Sequence, residues 1–436
     1  MAMTTIADPL TLPCGVRLKN RLVKAAMTEG LADARNHATV RHQTLYARWA
    51  KGGAGLLITG NIQVDRRYLE RPGNVAIEGA ESPEALAALE AYAQSATANG
   101  AEIMAQLSHA GRQTPVYVTK TPVAPSAVAV DLPGGQFGAP RALATDELED
   151  VIARFVNAAS VCKAAGFSGV QIHAAHGYLI SEFLNPRVNQ RNDEWGGALA
   201  NRARLLLKTV SAVRKKVGSG FPVAVKLNSS DFQKGGFSFD DCLTVIGWLN
   251  EEGVDFLEIS GGSYEQPRMM DIDGMEPPAE ERKRDSTLRR EAYFLQFAEE
   301  SARVAKMPLM VTGGFRSRAA MDEALAAGAA DLIGLARPLC VDPDIPAKLI
   351  SGALAAASSY EKSLRLGQGW FGPNSLNPLM KTLNGFAAMA FFYQNIYRLA
   401  DGLEAQEKMA LLPAFIRHQM GEARAGRRLE RGRGAR

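Results

Sequence analysis

The stretch TDELEDVIARFVNAASVCKAAGFSGVQIHAAHGY, residues 145–178, holds one complete unit of the fold. Its first part, Thr145–Ala165, reads as a helix with Thr145 as N-cap and the acids Asp146 and Glu147 in the first turn. Acids there meet the positive end of the helix dipole. Gly166 ends the helix, as glycine commonly does at a C-terminus. Gly169–His173 (GVQIH) is then too short and too uniformly apolar for a half-exposed antiparallel strand, so it suits a strand buried on both faces. Polar groups follow at once: His173, His176 and Tyr178.

The same unit recurs along the chain. Short apolar runs occur at Arg21–Ala26, Ala54–Gly60, Glu102–Leu107, Gly169–His173, Pro222–Leu227, Asp255–Ser260, Pro308–Thr312 and Asp331–Leu335. Helical stretches lie between and after them at Val40–Lys51, Ser82–Ala98, Thr145–Ala165, Leu199–Val217, Ser238–Glu252, Arg289–Ala305, Ser317–Ala327 and Asp344–Ile350. Eight strand–helix alternations predict an α/β fold closed as a TIM (βα)8 barrel; a doubly wound open sheet is the competing architecture. Residues 1–351 form the expected barrel, with Thr11–Leu18 as a small cap over its bottom. Residues 352–420, rich in aromatics such as Trp370, Phe391, Phe392 and Tyr393, are expected to be a C-terminal helical extension packed on the barrel or on a partner subunit of a homo-oligomer. Residues 421–436 are expected to be a disordered basic tail.

Composition narrows the class. The chain has 436 residues, 46% hydrophobic and 22% charged, enough to bury a large core. No apolar run approaches the ~20 residues of a membrane span, and the N-terminus lacks the pattern of a signal peptide. The four cysteines, Cys14, Cys162, Cys242 and Cys340, lie far apart, which excludes Cys-rich zinc modules and cysteine-held iron–sulfur clusters and argues against a disulfide scaffold. A cytoplasmic location is the expectation. The net charge of +4 is local: the last 16 residues hold six Arg and two Glu, so the remainder sums to zero. A nucleic-acid face is therefore not expected.

In such barrels, reactive groups collect at the C-terminal strand ends. The seventh run leads into Gly313-Gly314 and the eighth into Ala336-Arg337, which suits a phosphate, because glycine opens backbone N–H groups and Arg pairs with phosphate oxygens. At the fourth strand end, His173, His176 and Tyr178 admit several readings. A zinc pair would need a third ligand, and none lies at metal spacing nearby, so no metal is expected. Histidines without chemical role are a second reading. In the third, the imidazoles bind a carbonyl oxygen and the phenol is a general acid. Lys226, inside a strand, either stabilises an anion or forms a Schiff base, as in an aldolase. No GxGxxG follows a strand, so a Rossmann dinucleotide site lacks support.

The stretches KNRLVKAAMTEG (19–30), AQLSHAGR (105–112), GVQIHAAHGYLISEFLNPRVNQRNDEWGG (169–197), VKLNSSDFQKGGF (225–237) and LIGLARPL (332–339) resemble the old yellow enzyme family, the NADH:flavin oxidoreductases on an FMN-binding barrel. The resemblance runs from about residue 10 to 350. It implies FMN as cofactor and NADH or NADPH as electron donor. Ala25, Ala26, Met27 and Thr28 would line the flavin, Gly60 and Gln106 would contact its pyrimidine ring, and Lys226 would face its N1/C2 edge. Gly313, Gly314, Ala336 and Arg337 would hold the phosphate. His173 and His176 would bind a substrate oxygen, and Tyr178 would protonate the substrate carbon. The implied activity is reduction of an activated C=C bond in an α,β-unsaturated carbonyl compound; an NADH oxidase role on the same flavin is the alternative. Three departures bear on specificity. Ala26 stands where proline is common, Lys226 where Arg is usual, and Gly30 where some relatives place a substrate-binding tyrosine.

Overall fold

A computed structural model describes residues 3–132, 135–261, 295–373 and 375–434. Eight parallel strands close into a barrel. They are β1 (Leu22–Lys24), β2 (Leu56–Gln63), β3 (Glu102–Ser108), β4 (Gly169–Ala174), β5 (Val223–Asn228), β6 (Phe256–Ser260), β7 (Leu309–Thr312) and β8 (Leu332–Leu335). Closure is made by β8 pairing with β1, with Ile333 opposite Leu22 and Gly334 opposite Val23. Every strand residue from β2 to β6 is buried except Glu102, which explains why the runs look continuously apolar. The barrel interior packs Val23, Leu56, Met104, Ala224, Phe256 and Met310. A hairpin of Leu10–Thr11 and Arg17–Leu18 closes the bottom: Leu12 and Leu18 join that interior cluster, and the Cys14 N–H donates to Asp255 Oδ1 at 2.9 Å.

Around the barrel lie α1 (Val40–Lys51), α2 (Pro83–Thr97), α3 (Thr145–Ala164), α4 (Leu179–Leu184), α5 (Leu199–Arg202), α6 (Arg204–Val217), α7 (Phe239–Leu249), α8 (Leu295–Ser301), α9 (Arg318–Ala326) and α10 (Ile345–Ser351). Side-chain caps start several of them: Ser82, Ser238 and Ser317 each accept an N–H three residues on. At α3 the cap is Ala144, and Thr145 is the first helical residue; with no capping side chain, the start is held only by the reciprocal bond, in which the Glu147 carboxylate accepts the Ala144 N–H at 2.8 Å. The stretch Leu199–Val217 is two helices that meet at Ala203. Of the helix expected at Arg289–Ala305, residues 289–294 lie outside the described residues; the described helix, α8, ends at Ser301, and residues 302–305 turn towards β7. The short α4, wholly buried, was not foreseen.

Two long helices follow the barrel, α11 (Pro378–Ala400) and α12 (Leu411–Gly434), packed on each other, with α11 also against α1. The disordered basic tail expected at 421–436 is corrected here: residues 421–434 continue α12. Its Glu422 pairs with the buried Arg71 (Nη2–Oε1 2.5 Å, Nε–Oε2 3.3 Å), and Leu429 is buried. Arg71 lies 4.3 Å above the Tyr393 ring of α11, whose other neighbour, His418 of α12, stacks on it at 4.7 Å. Charge counting misread this end because a helix can keep its arginines in water while one face docks.

Candidate active site

Strand alternation builds the site. Side chains two apart share a face, so the inward set at the C-terminal ends is polar: Gln106 on β3, Gln171 and His173 on β4, Lys226 and Asn228 on β5, Glu258 and Ser260 on β6. His173, Lys226 and Glu258 are register partners on adjacent strands. The Lys226 ammonium lies 2.8 Å from Glu258 Oε1, and both are buried. Gln171 Nε2 donates to Glu258 Oε2 at 2.8 Å, and Gln106 Nε2 donates to Gln171 Oε1 at 2.7 Å. The barrel mouth is thus floored by one connected polar chain, Gln106–Gln171–Glu258–Lys226. Glu258 and Gln171 had escaped the sequence reading, although Gln171 falls two positions before His173, which the sequence had singled out.

The loop after β4 is bent and pinned. His176 has φ of 63°, a left-handed conformation uncommon outside glycine. Its N–H donates to Asn228 Oδ1 at 3.1 Å, and its carbonyl accepts from Gln113 Nε2 at 3.0 Å. These bonds turn the His176 ring to 5.1 Å from His173, which in turn is 4.9 Å from Tyr178, both edge to face. The Ala175 N–H donates to His173 Nδ1 at 3.2 Å, which leaves the proton of the neutral ring on Nε2. His176 Nε2 is 2.6 Å from Ser260 Oγ. Burial, and then the Lys226 charge, hold both imidazoles well below the usual histidine range. They are therefore neutral hydrogen-bond partners, and not cations, at neutral pH.

The loop after β1 is fixed from outside the barrel. Glu29 accepts the Gly60 N–H at 2.9 Å and the Tyr46 hydroxyl. A Cβ on Gly60 would lie 2.3 Å from the Glu29 carboxylate and 2.5 Å from the Met27 carbonyl, so only glycine lets this loop approach β2. Lys24, fully buried, points the other way and donates to the Ile58 carbonyl (2.7 Å) and the Tyr46 hydroxyl (2.9 Å), with the Trp49 ring 4.5 Å away. Burial brings its ammonium down to about 8.

One cavity of about 600 Å³ opens above this floor. Of the residues expected to take part, Ala26, Met27, Thr28, His176, Lys226, Gly313, Gly314, Ala336 and Arg337 line it. His173 and Tyr178 are not among its lining; His173 packs edge to face against both the lining His176 and Tyr178. Ala25, Gly60 and Gln106 lie deeper; the Ala25 N–H is engaged by the Leu335 carbonyl. Gly313 and Gly314 have φ of 129° and 83°, beside the buried Thr312 Oγ1, which has no hydrogen-bond partner among the described residues. Arg316 and Arg337 flank Glu361 at 2.6 and 4.0 Å. These features fit FMN: an open glycine cradle with an unused hydroxyl and two guanidiniums at one end, and a buried ammonium beneath the other.

The model of the NADH:flavin oxidoreductase / NADH oxidase family matches residues 6–354. The chain belongs to this family, that of the old yellow enzymes. The NADH-dependent flavin oxidoreductase iliE of Hypocrea jecorina is 39% identical over 365 residues, covering 79% of this chain and 89% of that protein. The NADH oxidase of Thermoanaerobacter brockii is 32% identical, over 77% of this chain but only 49% of that longer protein. Among solved structures, the old yellow enzyme homologue from Zymomonas mobilis superposes with a TM-score of 0.66 at 28% identity, over 81% of this chain and 94% of its own. Morphinone reductase gives 0.67 at 25% identity, over 81% and 91%. The chain is thus an FMN-dependent oxidoreductase of the old yellow enzyme family, on the barrel expected from its sequence. Among the described residues, no helix is long and apolar enough to cross a membrane.

Proposed function

We propose that this enzyme uses NADH or NADPH to reduce the activated C=C bond of an α,β-unsaturated carbonyl compound. The observation that carries the reading is the cluster of His173, His176 and Tyr178 packed edge to face beside the cavity that also holds the glycine cradle. FMN, when bound, would supply the hydride chemistry that links the nicotinamide to the β-carbon. The protein supplies the rest. His173, protonated on Nε2, donates to the carbonyl oxygen and draws electron density from the β-carbon; His176 is the second partner of that oxygen. Both stay neutral beside Lys226, so they polarise without neutralising it. Tyr178, a buried phenol, is the acid that places a proton on the α-carbon. Lys226, balanced by Glu258, favours negative charge at the edge of the ring above it.

A Schiff-base role for Lys226 has lost support, because its ammonium is committed to the Glu258 carboxylate, whereas that chemistry needs the free amine. An oxidase role on the same flavin keeps support from the name of the Thermoanaerobacter relative. Enone turnover under anaerobic conditions, compared with NADH consumption in air, separates the two. Unchanged enone turnover and phenol binding in the His173→Ala, His176→Ala double variant would reject the proposed roles.

A further inference from the structure

The helix α11 lies outside the region matched by the family model, yet it forms a wall of the cofactor cavity. Lys381, Asn384, Met389, Phe392, Tyr393 and Ile396 all line that cavity. Their spacing of three, five, three, one and three residues, completed by Gly385 and Ala388, is a single stripe along four turns of one helix. The stripe changes character along its length. Its first turn is polar, with Lys381 and Asn384; its later turns are apolar and aromatic.

The two ends have different neighbours. Asn384 Oδ1 accepts the Leu366 N–H at 2.9 Å, and its Nδ2 donates to the Phe371 carbonyl at 3.0 Å. This ties the first turn to the segment that bears Glu361 and Lys362, beside Arg316 and Arg337 at the phosphate loops. The far end is tied by Arg71, which lies over Tyr393 at 4.3 Å and whose Cζ is 3.1 Å from where a Gly30 Cβ would be. That is the β1 loop carrying Met27 and Thr28, and Met27 Sδ is 3.5 Å from Cys340 Sγ in the β8 loop. Among the described residues no carboxylate pairs with Lys381.

We infer that α11 is part of the FMN-binding site, with Lys381 a further cation for the phosphate and Phe392 a cover for the ring system. The polarity of the stripe follows the polarity of the cofactor: charge on the turn tied to the segment after Glu361, which pairs with Arg316 of the phosphate loops, and apolar surface on the turns tied to the β1 loop. The helix thereby closes over a ligand that the barrel holds from below. This assignment concerns the cofactor and does not depend on which substrate is reduced.

The test compares FMN with riboflavin, which lacks the phosphate, by fluorescence titration of the full-length chain. Lys381→Ala weakens FMN about tenfold, the range of one charged contact, and leaves riboflavin unchanged; Lys381→Arg, which keeps the charge, restores FMN. Phe392→Ala, and more mildly Phe392→Leu, weakens both flavins by the same factor, because the lost contact is to the ring. The inference is overturned if Lys381→Ala leaves the ratio of the two affinities as in the parent, or if both Phe392 variants bind both flavins as the parent does. A variant that only damages folding lowers both affinities together, so the ratio still decides the Lys381 assignment, and Lys381→Arg provides a folded comparison.

Discussion

At the residue scale, the site works by keeping each polar group in one protonation and hydrogen-bonding state. His173 is locked by the Ala175 N–H on one nitrogen, so its other nitrogen can only donate. The role proposed for Tyr178 is separable from flavin reduction. Tyr178→Phe is expected to slow enone reduction by roughly a hundredfold or more while NADH still bleaches the flavin at the parent rate. Stopped-flow measurement of the two half-reactions checks this; equal slowing of both would count against the phenol as acid. Lys226 and Glu258 form a buried pair, and removing one partner strands the other. Lys226→Met should therefore cost about 3–5 kcal/mol in urea unfolding. The double variant Lys226→Met, Glu258→Gln should recover part of that, since no bare charge remains. Positions such as Lys226 and His173 were legible in the sequence because a polar residue in an apolar strand is anomalous. Glu258 is equally anomalous within DFLEIS; the alternation that puts it beside Lys226 becomes evident only when the strands are paired.

At the element scale, strands and most helices follow from short-range rules, and the exceptions have local causes. Ala144 stands at the start of α3 without a capping side chain, and Glu147 holds that turn by accepting the Ala144 N–H. The helix α12 is different, since its place depends on a distant contact: Arg71, 351 residues away, pairs with Glu422. Glu422→Ala leaves the Arg71 guanidinium buried with one partner fewer. The expected cost is about 2–4 kcal/mol, read as a lower melting temperature. The same variant should release α12 to trypsin at its many arginines before the barrel is cut. Equal resistance of parent and variant would show that the ion pair does not dock the helix.

At the scale of the whole molecule, five of the six histidines are buried and depressed, by burial first. His42, His109 and His418 are brought to about 4, and His173 and His176 lie well below their usual value of 6.5. In the unfolded chain they titrate near 6.5, so below that pH the unfolded state takes up protons that the native state refuses. Stability is thus fullest above pH 6.5 and falls as the pH drops towards 4, by on the order of 3 kcal/mol each for His42 and His109 at the limit. Asp231, raised to about 6 by burial, works in the opposite sense and offsets a small part. Urea unfolding at pH 7.5, 5.5 and 4.5 should show a steady decline, and a flat profile would contradict it. By itself the sequence determined the barrel, because each strand and helix announces its burial period and its cap within some twenty residues, and closure of eight parallel strands hides all their edges. It also placed the polar groups at the strand ends. Only the tertiary structure decided which of them touch: the Gln106–Gln171–Glu258–Lys226 chain crosses four strands, and the stripe on α11 reaches a cavity formed by residues hundreds of positions earlier. Such contacts come from barrel closure and helix docking, which bring together side chains whose local sequences carry no mark of one another.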